Sequence, residues 1–342
     1  MSKIYTEQGF VNWEYLYSQT KAFCMTTGAR ATGKTYGLLK LLLEHKIKFL
    51  YLRRLRTQLD QCASVTANPF KKINTDLGLN IQPYKSKELV RFIQSQELEG
   101  GRNIPDGEPV AIGLALSTFA TMRGMDFSDI DAVVFDEAIP MVGEKAIKDE
   151  FNAFLHFYET VNRNRELEGR APVKCFLLGN ANKLANPYFA GWGFMRTALN
   201  MIRGEQMMWR SADGTRLMVL LLNSPISKQK ASTVLYQNGN DDFIATALDN
   251  AFRVDPTTIK SYPLRELIPI CGVGEVGIYR HKSSGILYVS HVVNRNVYYP
   301  AYGIHLTRFK RDFAQFRILY LSERIVFENY DIELIFRELL DI

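Results

Sequence analysis

The sequence predicts an α/β fold in which helices cover a parallel sheet, followed by a smaller α+β domain. Short apolar runs alternate with amphipathic stretches over roughly the first two thirds of the chain, a pattern typical of strands buried on both faces of a parallel sheet. A polar, aperiodic stretch follows, and β-rich runs and a final helical segment come after it. A length of 342 residues also exceeds what one hydrophobic core usually organises, so we expect two domains.

Five apolar runs are the predicted core strands: residues 22–27, 47–54, 110–116, 132–137 and 174–180. Between the last two, residues 148–167 have apolar side chains at three- and four-residue spacing, which predicts a helix with one apolar face. These side chains are Phe151, Phe154, Leu155 and Tyr158. A hairpin is then predicted to turn at Asp213 and Gly214.

The domain boundary is predicted from composition. Residues 223–242 are polar and aperiodic, and residues 252–263 contain two prolines, as an interdomain linker would. We therefore expect a first domain over 1–222, a linker over 223–263 and a second domain over 264–342. The second domain begins with two β-rich runs around the turn HKSSG and ends in a helix over YDIELIFRELL.

Composition excludes some classes of protein. Lys and Arg outnumber Asp and Glu by 42 to 36, a net charge of +6 that is weakly indicative of a polyanionic partner. The four cysteines show no paired spacing and the five histidines form no ligand motif, so neither a disulfide framework nor a zinc site is expected. The first residues lack the apolar core of a signal peptide, and the longest aliphatic run, 217–222, is too short to span a bilayer. We expect a cytoplasmic protein that does not enter a membrane.

The stretch TTGARATGKTYG, residues 26–37, contains the pattern G-x-x-x-x-G-K-[ST] between an apolar strand and a helical segment. Glycines at these positions let backbone N–H groups face phosphates, Lys34 reaches the β- and γ-phosphates, and the Thr35 hydroxyl binds magnesium. This context predicts a P-loop NTPase with an ASCE (RecA-like) parallel sheet. The predicted nucleotide-binding residues in the loop are Gly28, Ala29, Arg30, Gly33, Lys34 and Thr35.

Carboxylates and an amide at two later strand ends complete the predicted site. In DAVVFDEA, Asp136 would bind Mg²⁺ together with Thr35, and Glu137 would polarise the water that attacks the γ-phosphate of ATP. Asn180 ends the next core strand, where an amide can hold the attacking water or sense the γ-phosphate. An Asn that merely forms a turn is the alternative.

Two groups of arginines have two interpretations each. Arg163 and Arg165 lie at the end of the predicted helix, where they are either solvated cations or donors of an arginine finger to a neighbouring subunit; the residues alone favour solvated cations. Arg53, Arg54 and Arg56 follow a buried strand, and they form either a solvated face or a contact with the DNA backbone.

Five motifs occur in an order that resembles the genome-packaging ATPases of small tailed phages of the phi-twenty-nine group, which are relatives of the large terminases. They are GARATGKT, FLYLRRLR, VVFDEA, VNRNRE and GNANKLANPYF. The resemblance covers nearly the whole chain, and the last motif is more distinctive than the phosphate loop. It implies a ring of identical subunits, expected to be a pentamer, at the portal vertex of a capsid in the host cytoplasm. The ring would translocate double-stranded DNA as ATP is hydrolysed, with the portal and a packaging RNA as further partners.

The resemblance also implies roles for individual residues. Lys34, Thr35, Asp136 and Glu137 match the nucleotide, magnesium and catalytic-base positions of the family. Arg163 matches the finger that the family supplies to the adjacent subunit, which reverses the preference that the residues alone gave. Arg123 lies where the family carries a basic lid residue associated with nucleotide exchange, although a family example has lysine there. Arg56 matches a basic position that faces the DNA channel.

The second domain resembles a ribonuclease-H-like nuclease that has lost its active site. A two-metal nuclease needs several converging carboxylates, yet over residues 268–293 the only acid is Glu275. From Arg265 to Arg324, nine Lys or Arg stand against four Asp or Glu. We therefore expect a nuclease-dead domain that binds a nucleic-acid backbone or a portal-associated RNA; a basic β-rich domain without that role is the alternative.

Three other functions compete with a DNA translocase. A complete terminase large subunit would also cut DNA, which the missing carboxylates argue against. A nucleotide-gated DNA-binding module would not translocate, so its turnover would not respond to DNA. A small-molecule kinase is disfavoured because adjacent Asp136 and Glu137 serve water activation better than transfer to a metabolite.

Overall fold

The computed structural model describes residues 3–122, 124–141, 144–145, 147–180, 186–230, 233–234 and 258–341. The chain divides into two units: the first comprises Met1–Ile139, Asp149–Ala181 and Leu199–Ala251, and the second comprises Pro140–Lys148, Asn182–Ala198 and Phe252–Ile342. This division assigns to the second unit two segments that lie within residues 1–222. Most of the predicted linker, and Arg123, lie outside the described residues.

A nine-stranded sheet forms the centre of the first unit. Its strands are β1 (Phe23–Gly28), β2 (Phe49–Arg53), β3 (Ile81–Lys85), β4 (Val90–Glu97), β5 (Asn103–Ala115), β6 (Ala132–Phe135), β7 (Lys174–Gly179), β8 (Met208–Arg210) and β9 (Arg216–Leu221). They lie in the order β3-β4-β5-β2-β6-β7-β1-β9-β8, and the six from β5 to β9 in this order are parallel. The predicted mixed α/β fold with a parallel sheet is confirmed.

The five predicted strands all belong to the parallel part of the sheet, because their residues are apolar enough to be covered on both faces. The predicted hairpin is formed by β8 and β9, which are antiparallel, and Gly214 in its turn has a positive φ of 73°. The sequence did not predict that β9 also pairs with β1. It also missed β3 and β4, an antiparallel extension with Pro83 in its edge strand.

Helices are interspersed with these strands along the chain. They are α1 (Trp13–Gln19), α2 (Lys34–Glu44), α3 (Arg56–Cys62), α4 (Lys71–Leu77), α5 (Glu150–Asn162), α6 (Pro187–Gly191), α7 (Met195–Arg203) and α8 (Pro225–Lys230), with a 3₁₀ helix at Leu116–Met122. Leucines of α2 at 38, 39, 41 and 42 are buried, which places this helix on the core. Within the described ranges, no helix is long and apolar enough to cross a membrane.

Helix α5 is held on the sheet by aromatic side chains. Phe154 is fully buried, with ring centroids 5.9 Å from Phe135 of β6 and 6.3 Å from Phe23 of β1. Phe157 packs edge-on against Phe119 of the 3₁₀ helix at 4.8 Å. Leu155, which the spacing placed on the apolar face, is instead 37% exposed, because the buried face continues through 157 and 161.

The second unit contains a five-stranded sheet in the order β13-β10-β11-β12-β14. Its strands are β10 (Leu267–Val273), β11 (Val276–His281), β12 (Leu287–Ser290), β13 (Tyr298–Tyr299) and β14 (Ile325–Phe327). Its last three helices are α9 (Gly303–Asp312), α10 (Gln315–Leu321) and α11 (Tyr330–Leu340), and a second short 3₁₀ helix spans Leu264–Glu266. The two predicted β-rich runs and the C-terminal helix are present. Phe309, Phe316 and Phe336 join these helices to one hydrophobic core.

The aromatic packing of α5 predicts unequal effects for two neighbouring side chains. Phe154→Ala should lower the unfolding free energy of the first unit by about 3–5 kcal/mol, because a fully buried ring leaves a cavity. The matched control Leu155→Ala on the solvent side should cost about 0.5 kcal/mol or less. Urea unfolding monitored by circular dichroism measures both, and equal shifts in the two variants would contradict the packing described.

Candidate active site

The loop between β1 and α2 depends on two glycines. A Cβ at Gly28 would lie 2.5 Å from the Leu221 Cβ on the adjacent strand, so no side chain fits there. Gly33 has φ 80° and a Cβ there would lie 3.2 Å from Phe10. The left-handed conformations at Ala31 (φ 62°) and Gly33 turn the chain sharply into α2. The loop thereby presents the N-terminal end of an eleven-residue helix, where backbone N–H groups favour anions.

Lys34 lies in the centre of this loop. Its Nζ donates to the carbonyl oxygens of Gly28 at 3.0 Å and Ala29 at 2.6 Å, and lies 3.4 Å from Asn180 Oδ1. Asn180 directly follows β7, which is paired with β1. The structure thus brings together the predicted phosphate-binding lysine and the predicted sensor amide.

The predicted magnesium pair is also in contact. Thr35 Oγ1 donates to Asp136 Oδ1 at 2.6 Å, across 101 residues of sequence. Asp136 directly follows β6 and is only 8% exposed. Hydroxyl and carboxylate oxygens are the ligands that Mg²⁺ takes alongside phosphates and water, so the pair fits the ion.

The side chain of Glu137 is accessible to a ligand, and its backbone is left-handed. Its φ of 51° is left-handed and its side chain is 52% exposed, unlike that of Asp136. Both carboxylates line a cleft of about 440 Å³. Arg30, Lys34, Thr35 and Asn180 line the same cleft.

Arg53 lies beside these carboxylates instead of facing DNA. Its Nη1 donates to Asp136 Oδ2 at 2.9 Å and its Nη2 to Glu137 Oε2 at 2.5 Å. Arg53 is 8% exposed, so the prediction that it contacts the DNA backbone is wrong. The cause is register: β2 lies beside β6, so the guanidinium at the end of β2 donates to both carboxylates at the end of β6.

Tyr51 is the second donor from β2. Its hydroxyl donates to Asp136 Oδ2 at 2.7 Å. Burial raises the pKa of this hydroxyl well above its ordinary value, and the nearby charge of Asp136 raises it further. Tyr51 therefore stays protonated and donates to Asp136 across the physiological pH range. Sequence reasoning missed Tyr51 and assigned Arg53 to DNA instead of this site, although their alternate positions on a strand show that they share one face.

Arg54 is buried as well. It is 0% exposed, and its Nε and Nη2 donate to the two oxygens of Glu150 at 2.7 Å each. The prediction that Arg54 contacts DNA is therefore also wrong, because its guanidinium is enclosed at the start of α5. Arg56 differs: its side chain is 21% exposed and bonds Asp60 of the same helix at 3.0 Å. Of the three arginines predicted to bind DNA, only Arg56 remains a candidate.

Arg163 lies away from this cleft. It follows the last residue of α5, its side chain is 47% exposed, and its Nη2 donates to the Met125 carbonyl oxygen at 2.7 Å. Arg165, two residues on, is buried and bonds Ile130 and Asp131. These partners all precede β6, whereas Asp136 and Glu137 follow it. Arg163 is thus at the opposite end of β6 from the carboxylates.

The contacts of Arg53 predict how the site responds to a cation. Arg53→Met removes the cation beside a buried carboxylate, which should cost about 3–5 kcal/mol of unfolding free energy. Mg²⁺ bound with ATP would neutralise Asp136 instead, so it should raise the thermal midpoint of the variant more than that of the wild type. In the control Arg56→Met, whose partner Asp60 is 33% exposed, both effects should be small. Differential scanning fluorimetry measures the thermal midpoints of the wild type and both variants. If Mg²⁺ with ATP raised the midpoint of Arg53→Met and of the wild type equally, the competition between Arg53 and Mg²⁺ for Asp136 would be contradicted.

Comparisons with known proteins agree with one another. The DNA packaging protein of Bacillus phage phi29 is 27% identical over 185 residues, which are 53% of this chain and 49% of that protein. The corresponding protein of Bacillus phage B103 is 27% identical over 173 residues, 49% of this chain and 47% of that protein. The chain spans about half the length of the curated relatives it matches.

Two solved structures are similar over almost the whole chain. The Phi-28 gp11 DNA packaging motor has 20% identity and a TM-score of 0.60, covering 97% of this chain and 98% of that one. The bacteriophage Phi-29 viral genome packaging motor assembly has 18% identity and a TM-score of 0.56, covering 96% and 99%. At these identities the likeness establishes the fold. A model of the family described as Podovirus DNA encapsidation protein (Gp16) matches residues 6–200, more than half of the chain, and the chain belongs to that family.

Proposed function

We propose that this chain is an ATPase that drives double-stranded DNA through the portal into a preformed capsid, working as a ring of identical subunits. One observation carries the proposal: Lys34, Asp136 and Glu137, with Thr35 and Asn180, converge on one cleft at the carboxyl ends of neighbouring parallel strands. This is where α/β sheets bind ligands. The family of DNA encapsidation proteins supplies the substrate, and a ring of five subunits is the form we expect.

The loop would bind the triphosphate of ATP. Backbone N–H groups at the start of α2 face the phosphates, and Lys34 Nζ exchanges the carbonyl oxygens of Gly28 and Ala29 for phosphate oxygens. Thr35 and Asp136 would hold Mg²⁺, which supplies positive charge that neutralises the phosphates. Arg123, which lies outside the described residues, would be the basic lid residue associated with nucleotide exchange.

Hydrolysis would use Glu137 as the base. Its carboxylate is half exposed and lines the same cleft as Lys34, so it can accept a proton from a water next to the γ-phosphate. To do so it must exchange the guanidinium of Arg53 for that water. Asn180, 3.4 Å from Lys34 Nζ, can orient the water through its amide.

Arg163 would complete the site of a neighbouring subunit. Asp131, which Arg165 binds, and Asp136 are five residues apart along β6, or about 17 Å at the rise of an extended strand. An arginine side chain does not bridge that distance, so Arg163 cannot serve its own site. Its bonds to Met125 and Asp126 are exposed and therefore weak enough to be exchanged for phosphate oxygens.

The remaining basic surface would contact nucleic acid. Arg56 at the start of α3 is the candidate for the DNA channel. In the proposed domain division of 1–222, 223–263 and 264–342, the last domain is ribonuclease-H-like, does not cut DNA, and binds a packaging RNA or the portal through its excess of Lys and Arg. The protein would be located in the host cytoplasm and would bind transiently at the portal vertex of the capsid.

Two variants test the ATPase and its coupling to DNA. Lys34→Ala should abolish ATP binding, and Glu137→Gln should keep binding while lowering turnover by about 10²–10⁴-fold, as expected for loss of a general base. The control Glu159→Gln removes an exposed carboxylate of α5 and should change neither. Turnover is measured with and without double-stranded DNA, on free protein and on portal-bearing capsids. Full turnover in Glu137→Gln, or turnover that ignores DNA even on capsids, would contradict the proposal.

Mixed rings test whether Arg163 acts between subunits. Arg163→Ala and Lys34→Ala rings should each be inactive, since a finger contributes about 10³–10⁵-fold to turnover. Mixed, they should regain turnover, because an intact Arg163 from a Lys34→Ala subunit completes the site of an Arg163→Ala subunit. Arg170→Ala is the matched control, since Arg170 lies in the same loop and binds the Ser128 carbonyl oxygen; it should stay active alone. No recovery in the mixture would contradict a role in trans.

A further inference from the structure

Two consecutive arginines at the end of β2 each bind a carboxylate in a different place. Arg53 binds Asp136 and Glu137 in the candidate active site, whereas Arg54 turns to the other side and binds Glu150. Glu150 is the first residue of α5, and Arg163 follows the last residue of the same helix. One strand end therefore contacts both the carboxylates of the subunit's own site and the helix that carries Arg163.

The Arg54–Glu150 pair is directional and enclosed. Two nitrogens of one guanidinium face two oxygens of one carboxylate, each at 2.7 Å, and the side chains are 0% and 3% exposed. A buried ion pair often contributes little net stability compared with apolar side chains of similar size, because both charges lose their hydration. What the pair does fix is geometry, since a two-pronged bond between planar groups allows one relative orientation.

Helix α5 transmits that orientation to Arg163. Its thirteen residues span about 20 Å at the rise of an α-helix, and such a helix moves as a rigid body. The middle of the helix is held by the stacked and edge-on rings of Phe154 and Phe157, and apolar packing is non-directional. Its last two turns bond Val173: the Tyr158 hydroxyl donates to the Val173 carbonyl oxygen at 2.8 Å, and Asn162 Oδ1 accepts from the Val173 N–H at 2.8 Å. The bonds at Glu150 are therefore the directional contacts that fix the first turn of α5 relative to β2, the strand that also contacts the carboxylates of the subunit's own site.

We propose that Arg54 and Glu150 form a positioning pair that places Arg163 for the site of the neighbouring subunit. This inference rests on the proposed function, in which Arg163 acts in trans. A displacement of about 1 Å at a group that contacts the reacting phosphate costs on the order of 10²-fold in rate. The pair acts only through the placement of α5, so a subunit that lacks it keeps a competent site of its own.

Mixed rings on portal-bearing capsids separate this role from a purely structural one. The test variant is Arg54→Met with Glu150→Leu, which removes both charges and leaves neither one buried alone. Pure rings of it should lose on the order of 10²-fold in turnover while their ATP affinity is unchanged. Mixing with Lys34→Ala subunits should restore turnover, because those supply a well-placed Arg163. Mixing with Arg163→Ala subunits should not, because neither partner then supplies one.

Each other result overturns a defined part of the account. The positioning role alone is overturned if Arg163→Ala subunits rescue the double variant. It is also overturned if Lys34→Ala subunits fail to rescue the double variant while Lys34→Ala and Arg163→Ala subunits still rescue each other. If Lys34→Ala and Arg163→Ala subunits do not rescue each other, the role of Arg163 in trans is overturned, and this inference with it. The milder Glu150→Gln, which keeps the shape of the side chain, should give the same pattern of rescue with a smaller loss. ATP binding by each sample confirms that the site is folded, and loss of ATP binding in both variants would overturn the inference.

Discussion

The carboxylate of Asp136 is the constraint on which the candidate active site depends. One oxygen accepts from Thr35 in the phosphate loop, and the other accepts from Tyr51 and Arg53 of β2. A nearly buried carboxylate is costly without such partners, so this one group holds the loop, β2 and β6 in register. A cation that binds there must exchange with donors that the protein already supplies.

The sequence predicted most of this site because each part of it directly follows an apolar strand. A glycine-rich loop after an apolar strand, and polar residues directly after two further apolar strands, must meet at one edge of a parallel sheet. The roles of Arg53 and Arg54 could not be predicted in this way, since a run of basic residues at a strand end is also the pattern of a surface. Only the register of β2 beside β6, and the position of Glu150, show that both guanidinium groups are enclosed. The same limit applies to β3 and β4, whose half-exposed strands lack a strong apolar pattern.

The burial of Arg53 and Arg54 changes where nucleic acid can bind. The positive charges of Arg53 and Arg54 are paired inside the first unit, where they bind Asp136, Glu137 and Glu150. Under the proposed function, contacts with a polyanion would fall to the exposed arginines at 308 and 311 of α9 and to the partly exposed Arg56 at the start of α3. The basic character of residues 265–324 is therefore a better guide to a nucleic-acid partner than the arginine run after β2.

A structure of the chain bound to Mg²⁺ and a non-hydrolysable ATP analogue tests the central claim most directly. The account predicts that Lys34 Nζ contacts the β- and γ-phosphates, that Thr35 and Asp136 face the ion, and that Arg53 releases at least one of its two carboxylates. An analogue bound outside the cleft would contradict the account. So would an analogue bound in the cleft while Arg53 keeps its bonds to both Asp136 and Glu137.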